Sequence, residues 1–237
     1  MYKLIIPIYC LVLLACNSNK SKVTITTPQA KDTVPTSNNK PATSNQSIPQ
    51  EYLVTPTSFG VITKSMNLAQ LTQAVGTTNI TKGTEPLNPE TDEQVDILII
   101  YKGTPKEITL RWKYGKPNKE IGSISTTKPN APYITNEGIR VGTTLAQLTA
   151  INNDVISFSG LAWGLGGYII DYGAKGTLGT KDNQLYNICL TSTLQEQYPA
   201  DYPLGETTFN TNMPNVKKHN TTITVQELAL NFFADNQ

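Results

Sequence analysis

Hydrophobic and polar positions follow three different regimes along this chain of 237 residues. From Leu4 to Ala15 the run is apolar, broken only by Pro7. Between Asn17 and Gln50 apolar residues are sparse and keep neither helical nor strand period. From Glu51 onward, short apolar stripes recur at spacings of three to four or of two, punctuated by Gly, Pro and Asn. Ala, Val, Ile, Leu, Met, Phe, Trp, Tyr and Cys fill 14 of the first 16 positions, 6 of the next 34 and 70 of the remaining 187. Only the last stretch has the composition of a folded domain, so the expected boundaries are 1–15, 16–50 and 51–237.

Within the last stretch one segment recurs at an offset of 77 residues. Ile62 to Gly76 lies over Ile139 to Asn153, with six of fifteen positions identical, where chance gives about one. Each copy predicts a short helix with the same ends. Asn67 and Thr144 are N-caps, and Gln70 and Gln147 three residues on complete capping boxes. Leu68, Leu71 and Val75, and in the second copy Leu145, Leu148 and Ile151, form a stripe at helical spacing. Gly76 and Asn153, both tolerant of a left-handed backbone, stand at the stop.

Strand patterns follow each helix. In the first copy Val95 to Tyr101 and Glu107 to Tyr114 flank the turn Lys102 to Lys106, and Ile121 to Ser125 is a third strand. In the second, Val155 to Phe158, Tyr168 to Tyr172 and Leu185 to Thr191 are separated by glycine-rich turns. Strands so close in sequence pair as hairpins. The expectation is an α+β fold, a tandem repeat of short helices packed on an antiparallel β-sheet, with repeats at about 59–125 and 137–193 and a C-terminal extension. Near the end, Thr224 to Glu227 offers a capping box while Leu228 to Phe232 alternates; the alternation favours a final strand.

The leader is too short to span a bilayer as a helix, which takes about 20 apolar residues, and has the length of a signal-peptide core. It ends Leu13-Leu14-Ala15-Cys16 before polar Asn17-Ser18-Asn19, and this junction resembles a bacterial lipoprotein signal. The resemblance implies cleavage before Cys16, lipid on its thiol and amino terminus, and, with Asn17 following, an outer-membrane address facing the periplasm or the cell surface. Several acyl chains, at about 0.8 kcal/mol per buried methylene, make a stable anchor where one does not. The alternatives are an ordinary cleaved signal with a chance cysteine, or an uncut anchor.

Residues 17–50 are two-thirds Ser, Thr, Asn, Gln and Pro, a composition that cannot offset the entropy of ordering. As a flexible coil they span about 30 to 35 Å, and ~110 Å when pulled straight. The chain total of 19 basic against 18 acidic residues gives no field to steer nucleic acid. Four lysines against Asp32 nevertheless make the tether basic and the remainder mildly acidic.

The tandem helix and strand pattern from about Phe59 to Thr193 resembles the repeats of β-lactamase-inhibitor-like proteins and of small outer-membrane lipoproteins built on the same unit. Gly138 to Leu145 followed by the glycine and aromatic turn Gly160 to Gly167 also resembles a family of bacterial lipoproteins without a characterised activity. That family often carries Asp and an aromatic residue just after the tryptophan. Here Gly164 and Leu165 follow Trp163, so no carboxylate role transfers. The resemblance implies a fold and an address, with no chemistry.

Candidate chemistry is sparse. The one histidine, His219, follows Lys217 and Lys218 after a turn and reads as a solvated loop residue. Cys10 leaves with the leader and Cys16 takes lipid, so Cys189 is left as a small apolar residue in a strand. Gly173 to Lys181 lacks the order of a phosphate-binding loop and reads as a hairpin turn. Glu90, Asp92, Glu93 and Asp96 match no calcium loop. No metal and no cofactor are expected.

Around the first hairpin, Lys102, Lys106, Arg111, Lys113, Lys116 and Lys119 occur with Tyr101, Trp112 and Tyr114. Alternation places Thr109, Arg111 and Lys113 on one face, and Ile108, Leu110, Trp112 and Tyr114 inward. Aromatics turned inward do not form base-stacking platforms, so no nucleic acid partner is expected. Arg111, Lys113 and the Trp163 turn are the candidate contact surface. The expectation is a non-enzymatic, lipid-anchored envelope protein that binds an envelope protein or glycan. An envelope hydrolase using carboxylates or tyrosines, and a purely structural component, stay open beside it.

Overall fold

A computed structural model describes residues 47–87, 92–179, 186–195 and 197–233. The leader 1–15, Cys16, the tether as far as residue 46, and Glu90 lie outside the described residues. Everything described falls in one compact unit, Gln46–Gln237.

The fold is mostly β, which corrects the expected tandem α+β repeat. Among the described residues there are thirteen strands in three sheets and three short α-helices. Two of the sheets are small. One orders β3 (Ile62–Thr63), β2 (Ser58–Phe59), β1 (Leu53–Thr55) and β8 (Ile134–Thr135), the last pair parallel. Another orders β10 (Ile169–Asp171), β9 (Ser157–Ser159) and β12 (Thr208–Asn210). The large antiparallel sheet orders β11 (Tyr186–Ser192), β13 (Ile223–Asn231), β7 (Ile121–Thr126), β6 (Ile108–Trp112), β5 (Gln94–Ile100) and β4 (Ile80–Pro86).

The duplicated segment does form two matching helices, α1 (Leu68–Val75) and α2 (Leu145–Asn152). The Gln70 amide donates to Asn67 Oδ1 at 3.0 Å, and the Asn67 amide donates back to Gln70 Oε1 at 3.0 Å. Thr144 and Gln147 make the same reciprocal pair at 3.2 and 3.0 Å. Asn153 ends α2 in the left-handed region and Gly76 ends α1 at a φ of 85°. The third helix, α3 (Pro214–His219), has Pro at its first position, where no amide partner is lost.

Beyond the helices the two copies diverge. After α1 the chain makes a meander, β4 to β7, with each strand beside the next. After α2, β9 and β10 join the separate three-stranded sheet, and β11 enters the large sheet beside β13. Pairing with β12 and β13, from outside either copy, decides where the second set of strands goes. The repeat is therefore a repeated capped helix, and the sheets are built around it differently.

The final segment is strand, β13, inserted between β7 and β11. Its alternation sorts the large sheet into two faces. Tyr186, Leu230, Ile124, Leu110 and Leu98 lie in register across five strands and turn toward the core. Leu71 and Val75 of α1, Leu145 and Leu148 of α2 and Val216 of α3 join the same buried cluster. The neighbouring row, Asn231, Ser123, Arg111, Ile97 and Gly83, points to the other face. A second row there is Asn187, Ala229, Ser125, Thr109, Ile99 and Thr81. Small residues thus floor this outer face, and Ser123, Ser125 and Ala229 are buried beneath what crosses it.

At the end of α2, Asn152 is completely buried. Its amide donates to the carbonyls of Asp154 at 3.1 Å and Tyr172 at 2.7 Å, and its oxygen accepts from the Leu178 amide at 3.1 Å. The Asp154 carboxylate accepts from the Val155 and Lys175 amides. The glycine-rich segment is thereby tied to a helix end, and Thr177–Gly179 forms a 3-10 turn.

Candidate functional site

One groove of about 540 Å³ crosses the large sheet where β4 and β6 end and β5 begins. Its lining combines Glu85, Asp96 and Arg111 with Leu87, Trp112, Tyr114, Tyr168 and Phe233, among others. Each side chain is delivered by register. Glu85 faces Val95, and Arg111 faces Ile97, so Glu85 and Arg111 share the outer face across β5. There they form a fork: Arg111 Nε donates to Glu85 Oε1, and Nη2 donates to Oε2 at 2.7 Å. Nη1 leans on Ser123 Oγ at 3.5 Å. Two parallel charge-assisted bonds fix the guanidinium plane as well as its charge.

Tyr168 reaches the groove from the other side. It bridges to Cys189 of β11, and Cys189 pairs with Glu227, which places all three on the outer face. Burial, with Glu227 and Cys189 nearby, raises the pKa of the Tyr168 phenol, while Arg111 opposes the shift. Burial and then Glu227 push the Cys189 thiol up to about 12, so it is a thiol at neutral pH; its Sγ lies 3.5 Å from the Gly166 carbonyl. Phe233 lies over Gly122, where a Cβ would collide with its ring.

Of the surface residues expected from sequence, Arg111 lines the groove. Lys113 does not: its ammonium sits 4.0 Å from Glu120 with its side chain mostly buried. Trp163 stays with its own turn, its Nε1 donating to the Gly160 carbonyl at 2.8 Å. That turn is a close backbone contact, since a Cβ on Gly167 would run into the Leu190 carbonyl and one on Gly160 into that of Gly205.

The inward assignment of Tyr114 is corrected. Ile108 and Leu110 are buried, and Trp112, paired with core residue Ile121, packs against the core cluster at the border of the groove, but Tyr114 in the following turn is fully exposed. The solvated reading of His219 is corrected too. It is 7% exposed, its Nε2 lies 3.0 Å from Asp201 Oδ1, and its ring packs against Tyr202 at 4.9 Å. Lys218 holds the other Asp201 oxygen at 2.8 Å, and Lys218 and His219 together pull that carboxyl down to about 2.

Glu85 escaped the sequence reading because β4 carries Gly83 and Pro86, both strand-weakening residues, and its partner lies 26 residues away. Among the described residues no cluster of three or more His, Cys, Asp or Glu side chains is placed to hold a metal, and no helix is long and apolar enough to cross a membrane. No family model, curated protein or solved structure matches the chain.

Proposed function

We propose that this chain is a non-enzymatic binding module of the bacterial cell envelope, held at the outer membrane by lipid on Cys16 and using the β4 to β6 groove as its contact surface. One observation carries the binding reading. Seven large hydrophobic side chains are exposed among the described residues, and four of them, Leu87, Tyr114, Tyr168 and Phe233, line this one groove. Exposed apolar groups that cluster, rimmed by polar ones, mark contact surfaces, whereas scattered ones are ordinary. The leader and Cys16 support the anchor, and the polar tether supplies reach. Glu85, the carboxylate on the groove floor, is committed to Arg111 on both oxygens, which favours a recognition role over acid or base work.

A photocrosslinking residue at position 114 in the producing cell tests the reading. Adducts that recur at 114 and are absent at Lys217, exposed on α3, are the expected result. Absence of adducts at 114 sinks it. The anchor has a separate test: a fatty-acid analogue labels the wild type and fails to label Cys16→Ser.

A further inference from the structure

The groove lining sorts into two chemistries. Its aromatic side chains are Tyr114, Tyr168 and Phe233 and its polar group is the Arg111 to Glu85 fork, while Trp112 and Asp96, at core-facing positions of their strands, border it. At about 540 Å³ it falls within the roughly 300–1,000 Å³ of small-ligand sites.

Four kinds of occupant place different demands on this lining. An acyl chain gains nothing from an ion pair left half exposed on the floor, because burying that pair costs desolvation. A polyanion meets a carboxylate and a guanidinium already neutralised by it. A basic peptide finds the Glu85 carboxylate already held by Arg111 on both oxygens. A neutral sugar chain satisfies both chemistries at once. The C–H faces of its rings pack flat on aromatic side chains, and each hydroxyl both donates and accepts. The polar groups offer matching donors, the Arg111 guanidinium and the Tyr168 phenol, and acceptors, the Glu85 carboxylate and the Tyr168 oxygen. The fork holds its plane before ligand arrives, so little is lost in ordering it.

We infer that the groove binds a neutral oligosaccharide, with sugar rings stacked on Tyr114 and Tyr168 and hydroxyls bonded to the Arg111 to Glu85 pair. This rests on the groove being the contact surface.

The test uses the full chain in detergent and a panel of neutral hexasaccharides: β-1,4-glucan, α-1,4-glucan, β-1,3-glucan and chitohexaose. Hexagalacturonate is the anionic comparison. The chain holds two tryptophans, so Trp163→Phe leaves Trp112 emission as the reporter, and calorimetry on the wild type is the independent readout. At least one neutral hexasaccharide is expected to shift Trp112 emission saturably with a Kd below about 1 mM. Tyr114→Ala, at a fully exposed position, raises that Kd about tenfold with folding unchanged. Hexagalacturonate binds more weakly.

The inference is overturned if no neutral hexasaccharide gives heat or emission change up to about 10 mM, or if binding ignores Tyr114→Ala and Tyr168→Ala alike. Crosslinking at position 114 separates the two levels. Adducts at 114 without sugar binding overturn the glycan and leave the contact surface standing; absence of both removes both.

Discussion

Replacing Asn152 tests how the loop after β10 is held to α2. Asn152→Ala leaves the Tyr172 carbonyl and the Leu178 amide without their partner, and removes one partner of the Asp154 carbonyl. At about 1 kcal/mol for each lost bond, with more where a buried group stays unpaired, the cost comes to about 3 to 4 kcal/mol. That is below the ~5–15 kcal/mol that holds a typical domain, so the variant folds and can be measured. Urea unfolding followed by tryptophan emission reads the loss directly, and for a chain of this size the melting temperature drops by roughly 6–16 °C.

Asn152→Asp sharpens the test, because it keeps an acceptor for the Leu178 amide but turns a carboxyl oxygen toward two carbonyls. Burial raises that carboxyl above its unfolded value of about 3.9. A group raised on folding contributes most below its unfolded pKa and loses that contribution as pH rises through the folded one. Against wild type at the same pH, Asn152→Asp is therefore least impaired near pH 4 and most impaired at neutral pH. The reasoning is refuted if Asn152→Ala unfolds within about 1 kcal/mol of wild type at an unchanged urea slope, or if the aspartate deficit is flat with pH.

Three further outcomes follow from the same structure. Gly167→Ala, at a φ of 83° with its Cβ against the Leu190 carbonyl, destabilises by about 3 kcal/mol or more in urea, whereas alanine at Gly103, also at positive φ but in open space, costs about 1. Asp201, whose carboxyl is depressed to about 2, adds stability that is present above the unfolded value near 3.9 and lost as pH falls toward 2; Asp201→Asn flattens the acid limb of the melting curve. Asn67→Ala and Thr144→Ala each cost about 1 kcal/mol, and similar losses at the two caps show that the repeated segment is energetically as well as geometrically alike.

What could be read in the sequence was local. The capping boxes at Asn67 and Thr144 need only four consecutive residues, and those are present as expected. Ile108 and Leu110 alternate as the buried side of a strand because nothing interrupts the pleat there. Trp112 keeps that parity, because the extra residue of the neighbouring bulge is Gly122 on β7, whereas Tyr114 lies past the end of β6, where alternation no longer decides its side. His219 reads as solvated because two lysines precede it; its partner Asp201 comes from 18 residues away. The same limit hid the Arg111 to Glu85 fork. The expected fold class failed for a related reason. Six identities in fifteen positions describe a helix, and they say nothing about which strand a later segment will find as its neighbour.

The placement of β13 governs the order of assembly. Ribosomes emit chains from the amino end, and β13 is made after every other strand of the large sheet. Until Asn231 has emerged, β7 and β11 each present an open edge with no neighbour, and no local hairpin can close them. The sheet is therefore completed in a single late insertion across a long sequence separation, the kind of topology that folds slowly. A stop codon shortly before Ile223 would leave two unpaired edges side by side, and such a product would be a substrate for proteases and a seed for aggregation.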